Sequence, residues 1–298
     1  MNVLYHDDAA SGYDSKWGID YGELGARQVL TKLSKALGSE PGRYRRALEI
    51  GAGTGYFSLN LARAGVVDQI TAIDISPGML DRLAATAESI GVEIETVAAD
   101  AESLPFDDES FDLVVGHAVL HQLPAPDAAF AEFLRVLSPG GTIAFMGEPS
   151  RQGDRLAAFP KRVGLLAAPV WRRLLGVERS SNGRAPESDQ LQADGRANGH
   201  LEFLVDVHVF SPAKLRALAE AAGFVDVRLV GEELLASAYG WLLRSLQGDA
   251  DPALVPRMWH VFAFRSYLAL QWLDGRLLEP RLPPSVFYNL LLSGRKPA

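Results

Sequence analysis

Short apolar runs alternate along the chain with stretches in which apolar residues recur every three or four positions, and these two periods predict strands and helices in turn. Between Gly22 and Leu37 the residues Ala26, Val29, Leu30, Leu33 and Leu37 keep helical spacing, and Gly38 stands where such a helix ends. Residues 47–50 form a brief apolar strand, and the glycine-rich turn 51–55 feeds a helix through Leu61 to Gly65. A second strand is expected over 70–75. Ser76 and Pro77 follow it as an N-cap and a first-turn proline. They open a helix with Met79, Leu80, Leu83, Ala84, Ala87 and Ile90 on one side and Gly91 at its end. Third and fourth strands are expected over 92–97 and 111–115. A helix with Phe130, Phe133, Leu134 and Leu137 comes next, broken by a turn at 138–141, and a fifth strand spans 142–146. This alternation implies parallel βαβ units, and nearly all-apolar strands belong where helices cover both faces of a sheet. The expected fold is α/β, a doubly wound sheet.

Beyond Pro149 the regularity changes. Leu156, Phe159, Val163, Leu166, Val170 and Leu174 make a helical stripe interrupted by Pro160 and Pro169, with Arg151, Arg155, Lys161, Arg162, Arg172, Arg173 and Arg179 on its other side. Residues 180–199 are polar and rich in Gly, Asn and Asp, the composition of a mobile loop. Order is expected to return over 203–210. Ser211 and Pro212 then repeat the cap-plus-proline start of a helix that closes at Gly223, before a sixth strand over 224–230. Residues 232–278 read as two helices dense in large apolar groups, among them Trp241, Met258, Trp259, Phe262 and Trp272. Prolines at 280, 283 and 284 end that region, and a last strand is expected over 286–293.

Composition narrows the chemistry. The 298 residues carry a formal net charge of -8, so a nucleic-acid surface would be repelled unless a local basic patch compensated. The chain has no cysteine, which excludes disulfides, thiolate metal sites and cysteine nucleophiles. An N-terminal stretch with acidic residues, and no apolar run of membrane-spanning length, set the cytoplasm as the expected location. The expected partner is a small-molecule acceptor, with no nucleic acid, no metal and no stable membrane span. The oligomeric state is not legible.

The sharpest motif is LEIGAGTG, residues 48–55, placed directly after a strand and at the start of a helix. Gly51, Gly53 and Gly55 let the backbone turn and approach a ligand closely, and the helix behind them presents unpaired N–H groups. Glu49 precedes the turn, Asp74 ends the second strand at the distance expected of a ribose-binding carboxylate, and Asp100 follows the third strand. A dinucleotide-binding turn would place a small residue where this chain has Tyr56, and a pyrophosphate would avoid the Glu49 carboxylate. A ligand with an ammonium group, a ribose and an adenine suits Glu49, Asp74 and Asp100 better, and S-adenosylmethionine has all three. An NAD(P)-dependent oxidoreductase and a non-catalytic ligand-binding relative are the alternatives.

LEIGAGTG, AIDISPGML, AADAESLPFDDESFDLVVGHAVLHQL and LSPGGTIAF together resemble the successive motifs of class I methyltransferases, closest to the group that acts on quinones and small molecules. The resemblance is dense from Ala47 to about Pro149 and resumes in FSPAKLRALAEAAGF and the final strand. It implies a Rossmann-like seven-stranded sheet whose last strand runs antiparallel between the fifth and the sixth. It implies a cofactor core over 1–149, an insertion or lid over 150–209, a return to the sheet over 210–231 and 284–298, and a helical substrate-pocket insertion over 232–283. It also implies that Gly51, Ala52, Gly53 and Gly55 line the methionine half of the cofactor, with Glu49 near its amino group. Asp74 takes the ribose, Ile75 and Met79 pack on the adenine, Asp100 reaches the adenine amino group and Ala101 offers a backbone contact. His117 falls beside the sulfonium. The implied reaction is O-, N- or C-methylation of a small, apolar or aromatic molecule.

Other residues carry two readings each. His117 and His121 stand four apart but lack the glutamate of a zinc motif, so neither is read as a metal ligand. His121 is read first as a structural hydrogen-bonding group, with His121 or His117 as an acceptor's general base in the functional reading. Tyr13 and Trp17 lie in a segment that closes over the cofactor in the resembling family, or else are ordinary core or surface residues. Asp107, Asp108 and Glu109 read as a solvated loop. The basic side of 151–179 reads as a solvated face, with peripheral contact to a membrane surface as its alternative.

Overall fold

In the computed structural model, residues 20–178, 208–248, 250 and 254–298 are described. The chain divides into two compact units: Met1–Glu148 with Val205–Val230 and Leu290–Ala298, and Pro149–Leu204 with Gly231–Asn289.

The first unit opens with α1 (Glu23–Leu37) and continues through β1 (Tyr44–Ile50), α2 (Tyr56–Arg63), β2 (Val67–Asp74), α3 (Pro77–Ile90), β3 (Glu95–Ala98), β4 (Phe111–His117), α4 (Pro126–Val136) and β5 (Leu137–Pro149). After α5 (Arg151–Leu175) come α6 (Pro212–Ala222), β6 (Val225–Glu232), α7 (Leu235–Gln247), α8 (Arg257–Leu273) and β7 (Asn289–Arg295). Seven strands form one sheet in the order β3-β2-β1-β4-β5-β7-β6. Strands β1 to β5 pair in parallel. β7 runs antiparallel to β5, because backbone bonds join Gly140 to Lys296 and Ser150 to Tyr288, so partner numbers fall as chain numbers rise.

Strand periodicity divides the core between the two faces. Leu48 and Ile50, Val114, Ile143 and Phe145, and Leu290 and Leu292 pack with Phe130 and Phe133 of α4 and with Leu215 and Ala219 of α6. Their neighbours Ala47, Leu113 and Val115, Ala144 and Met146, and Leu291 pack with Val29 and Leu33 of α1 and with Phe57 and Leu61 of α2. Successive side chains on a strand point to opposite faces, so an all-apolar strand serves both layers. Phe133 stacks on Phe145 with ring centroids 5.1 Å apart.

Local signals place the element ends. The Ser76 hydroxyl accepts from the Met79 amide at 3.2 Å and Ser211 accepts from Lys214 at 3.2 Å, each beside a first-turn proline. Gly38, Gly91 and Gly223 end their helices in the left-handed conformation.

Several expectations differ from the structure, β1 and β2 each beginning three residues early among them. β3 begins at Glu95 rather than at 92. Ser138–Gly141 is not a break but the irregular start of β5, where the register against β4 shifts between Phe111 and Leu113. Pro160 and Pro169 do not interrupt α5, which runs unbroken over 25 residues. Each removes one amide donor, but the buried face of the helix packs on α7 and tertiary packing outweighs the local loss. The last strand begins at Asn289 instead of 286 because Pro284–Val286 forms a 3₁₀ turn. The expected loop at 180–199, most of the expected 203–210 segment, Tyr13 and Trp17 lie outside the described residues.

Phe133→Ala removes a fully buried ring from the α4 face of the sheet. It is expected to cost about 3–5 kcal/mol, read as a lowered urea midpoint with an unchanged denaturant slope.

Candidate active site

The sheet reverses strand direction of travel between β1 and β4: from β1 the chain builds outward through β2 to β3, and from β4 it builds the other way. In parallel sheets the crevice at the carboxyl ends of the strands on either side of such a point is where ligands bind. The glycine turn after β1, Asp74 at the end of β2, Asp100 just past β3 and His117 at the end of β4 all stand at that edge.

The turn is closed by local bonds. The Ala52 amide donates to the Ile73 carbonyl at 2.9 Å and the Gly53 amide to the Asp74 carboxylate at 2.8 Å. The other Asp74 oxygen accepts from the Ser76 amide at 2.9 Å, so two backbone donors fix the carboxylate at the end of β2. Gly51 has φ +60°, and a Cβ there would lie 2.4 Å from a Val119 methyl, so only glycine fits the position. Among the described residues, no atom lies within 4 Å of where a Cβ on Gly53 would stand. Gly55 caps α2, and Ala52 is buried against Leu59, Ala72, Leu83 and Ala87.

Glu49 is buried at the end of β1 and accepts from the Ser58 amide of α2 at 2.8 Å. Loss of solvent pushes its pKa up to about 7, only partly offset by the hydrogen bonds from Ser58, and the nearby Asp74 charge raises it further. In the same turn, the Thr54 hydroxyl is buried with no hydrogen-bond partner among the described residues. A carboxylate held out of water, a hydroxyl unmatched among the described residues and a turn with room beside Gly53 among those residues fit a ligand bearing a positive charge and polar groups.

The adenine-side residues are placed less uniformly. Ile75 is exposed at the end of β2, whereas Met79 is buried in the first turn of α3. Asp100 is exposed, and its carboxylate accepts from the Glu102 amide at 2.9 Å; Ala101 is buried in the core. Asp108 of the acidic loop pairs with Arg135 at 2.8 Å.

His117 is half-buried. Its ring stacks on Phe57 at 5.2 Å and meets Tyr56 edge-on at 5.5 Å. Gly147, with φ +76°, leaves the space that the imidazole fills, since a Cβ there would lie 2.8 Å from Nε2. Ala118 then takes a left-handed φ of 55°, uncommon for a residue with a Cβ, and turns the chain into the 3₁₀ segment Leu120–Gln122.

That turn is gripped by a residue the motif reading does not single out. Glu148, fully buried near the end of β5, accepts from the amides of Val119 and Leu120 through one oxygen, at 2.9 and 3.0 Å. Its other oxygen accepts from the His121 amide at 3.1 Å and lies 2.9 Å from His121 Nδ1. A carboxylate accepts only, so Nδ1 carries a proton, and in the neutral ring the lone pair then lies on Nε2. The signal available in sequence was an acidic residue following an apolar run near a strand end, Glu148 after residues 143–146 as Glu49 after Ala47 and Leu48. His117 and His121 therefore have different surroundings: aromatic rings and a glycine for the first, a buried carboxylate for the second. Among the described residues no group of three or more His, Asp or Glu could hold a metal ion.

A model of the methyltransferase domain matches residues 48–145, the segment that carries this site. The chain is 33% identical over 226 residues to a demethylmenaquinone methyltransferase of Roseiflexus castenholzii, an alignment covering 74% of this chain and 85% of that one. It is 37% identical over 154 residues to a malonyl-[acyl-carrier protein] O-methyltransferase of Methylococcus capsulatus, covering about half of each, 50% and 52%. In fold it is similar to the crystal structure of a putative sarcosine dimethylglycine methyltransferase from Galdieria sulphuraria, with a TM-score of 0.57 at 17% identity over 97% of this chain and 98% of that one. The family match sets the oxidoreductase alternative aside. With S-adenosylmethionine as its cofactor, the chain belongs to the class I S-adenosylmethionine-dependent methyltransferases.

Proposed function

We propose that this enzyme methylates a small, apolar or aromatic acceptor, and that His121, oriented by Glu148, takes the proton the acceptor loses. The observation that carries the choice of acceptor is the length of the similarity to a demethylmenaquinone methyltransferase, which spans 85% of that relative, whereas the malonyl-carrier relative is matched over 52% of its length. Acceptor choice is assigned to the second unit, and cofactor binding to the glycine turn and its carboxylates in the first.

When bound, the cofactor supplies a methyl group already activated by the positive sulfur. The work left to the protein is to hold and align, and alignment alone is worth about 7–11 kcal/mol in well-oriented systems. Glu49 meets the ammonium of the cofactor, Asp74 the ribose hydroxyls, Ile75, Met79, Asp100 and Ala101 the adenine, and His117 borders the reacting end. His121 Nε2 carries the lone pair a general base needs, and Glu148 stabilises the imidazolium that forms, an effect of about 10²–10⁴-fold for a well-placed base.

The direct test is methyl transfer from labelled S-adenosylmethionine to demethylmenaquinone, with malonyl-acyl carrier protein as the competing acceptor. Label in the quinone fraction supports the reading. Label in the carrier protein alone overturns it.

Three further outcomes are expected. Asp74→Ala weakens S-adenosylhomocysteine binding by about 10–100-fold, the range for losing hydrogen bonds to a charged group, in a thermal-shift titration. Unchanged affinity would remove Asp74 from the site.

Burial raises the Glu49 pKa in the folded chain from 4.5 to about 7, so its contribution to stability is fully present below pH 4.5 and is lost as pH rises through about 7. Glu49→Gln should flatten the stability profile in that window. A cationic ligand favours the ionised carboxylate, so cofactor binding in the same window releases a proton. Calorimetry near about pH 6 in two buffers of different ionisation enthalpy detects that release in the parent chain and not in Glu49→Gln.

Glu148→Gln places an amide N–H₂ where a carboxylate oxygen accepted, and His121 Nδ1 must then accept instead of donate. The ring proton moves to Nε2 and the base is lost. Turnover should fall about 10²-fold or more, well beyond any loss of cofactor affinity passed on through Val119 and Gly51, and His121→Ala should match the fall in turnover. Equal turnover in His121→Ala returns His121 to a structural role.

A further inference from the structure

From the surface of the second unit we infer that α5 docks the enzyme on an anionic membrane, lying flat in the headgroup layer. This surface stands independently of the acceptor proposed above.

The helix is inverted relative to an ordinary packed helix. Its buried face consists of Gly153, Ala157, Gly164, Ala168 and Trp171, four of them small. At Gly164 a Cβ would lie 2.6 Å from the Leu242 carbonyl and from the Ser245 side chain, so α5 meets α7 at backbone distance and has no room there for a large residue. The large apolar residues point outward instead. Phe159 is 75%, Leu166 81% and Leu174 79% exposed, and Leu156, Val163 and Val170 are exposed with them. At 3.6 residues per turn these six fall in one sector of roughly 80°, so they form a continuous ridge along the whole helix.

Charge names the partner. Arg151, Arg155, Arg162 and Arg173 are exposed and occupy the adjoining sector of the same helix, while its single acidic residue, Asp154, lies on another side. The whole chain has a net charge of -8, so this cationic strip beside an apolar ridge runs against the balance of the molecule. In a two-fold contact with a second copy the same patch would meet itself, ridge on ridge, and α5 offers its arginines no carboxylate on that side, since its single acid, Asp154, lies elsewhere. An anionic bilayer answers both features, taking the apolar ridge below the headgroups and the arginines at their phosphates. None of the described helices is long and apolar enough to cross a membrane, and α5 is itself too polar to do so.

The test is co-sedimentation of the purified full chain with large unilamellar vesicles, without cofactor or acceptor. Equimolar phosphatidylcholine and phosphatidylglycerol should bind the protein at least about tenfold more tightly than phosphatidylcholine alone, and salt should weaken the interaction. Leu166→Gln with Leu174→Gln, and separately Arg155→Gln with Arg162→Gln, should each reduce binding about tenfold or more. All four sites are exposed, so melting temperature and cofactor-induced thermal shift should stay at the parent values. No binding to the mixed vesicles overturns the inference. So does a concentration-dependent dimer in sedimentation velocity that the leucine substitutions dissolve, which would give the ridge to a second copy. A chain that binds vesicles but fails to methylate demethylmenaquinone keeps this inference and loses only the acceptor.

Discussion

The site is organised around the Glu148 carboxylate. A fully buried carboxylate is costly unless its oxygens are satisfied, and here four donors come from one short stretch, Val119 to His121. The bonds act both ways. They keep an ionisable group inside the core, and they hold the chain after β4 in a tight 3₁₀ turn entered through a left-handed alanine. The turn in turn sets Val119 against Gly51, and Gly51 has no Cβ because Val119 is there. One carboxylate at the end of β5 thus reaches the cofactor turn after β1 through two contacts. A substitution at Glu148 perturbs His121, the turn and the glycine loop together, and these effects are not expected to add.

A second constraint lies at the start of α2. Glu49 and Asp74 approach each other closely enough for the charge on Asp74 to raise the Glu49 pKa, and both accept from backbone amides of the loop and helix between them. Two nearby carboxylates in a water-poor site are an arrangement that a cation relieves. The helix N-terminus meets this electrostatic demand in part, and the cationic ligand proposed above would meet the rest. This accounts for acidic residues at a turn that would favour anions in dinucleotide-binding proteins.

Much of the first unit was legible because its determinants act over a few residues. Ser76 caps its helix three residues on, Gly91 and Gly223 end theirs within one turn, and Ala47, Leu48 and Ile50 of β1 with Leu113, Val114 and Val115 of β4 are apolar because the two layers use them in turn. Glycine spacing and the acids at 49, 74 and 100 could be placed at strand ends for the same reason. Glu148 was not legible as a partner of His121. The two are 27 residues apart in sequence, and nothing local in either segment encodes their 2.9 Å approach.

Helix α5 shows why periodicity identifies a stripe without saying which way it faces. Six large apolar residues at helical spacing predict an amphipathic helix, and burial of that stripe is the ordinary outcome. Here a different set, Gly153, Ala157, Gly164 and Ala168, lies in the same helix at similar spacing, and a small-residue face lets two backbones approach more closely than a leucine face. The competition is decided by the surface of α7, whose Leu242 carbonyl and Ser245 side chain leave no depth for a large residue. Rotating α5 to bury Leu166 would remove that backbone-distance packing and drive bulk into it. The exposed ridge therefore follows from the tightness of the opposite interface, and the arginines next to it determine what kind of surface it can meet.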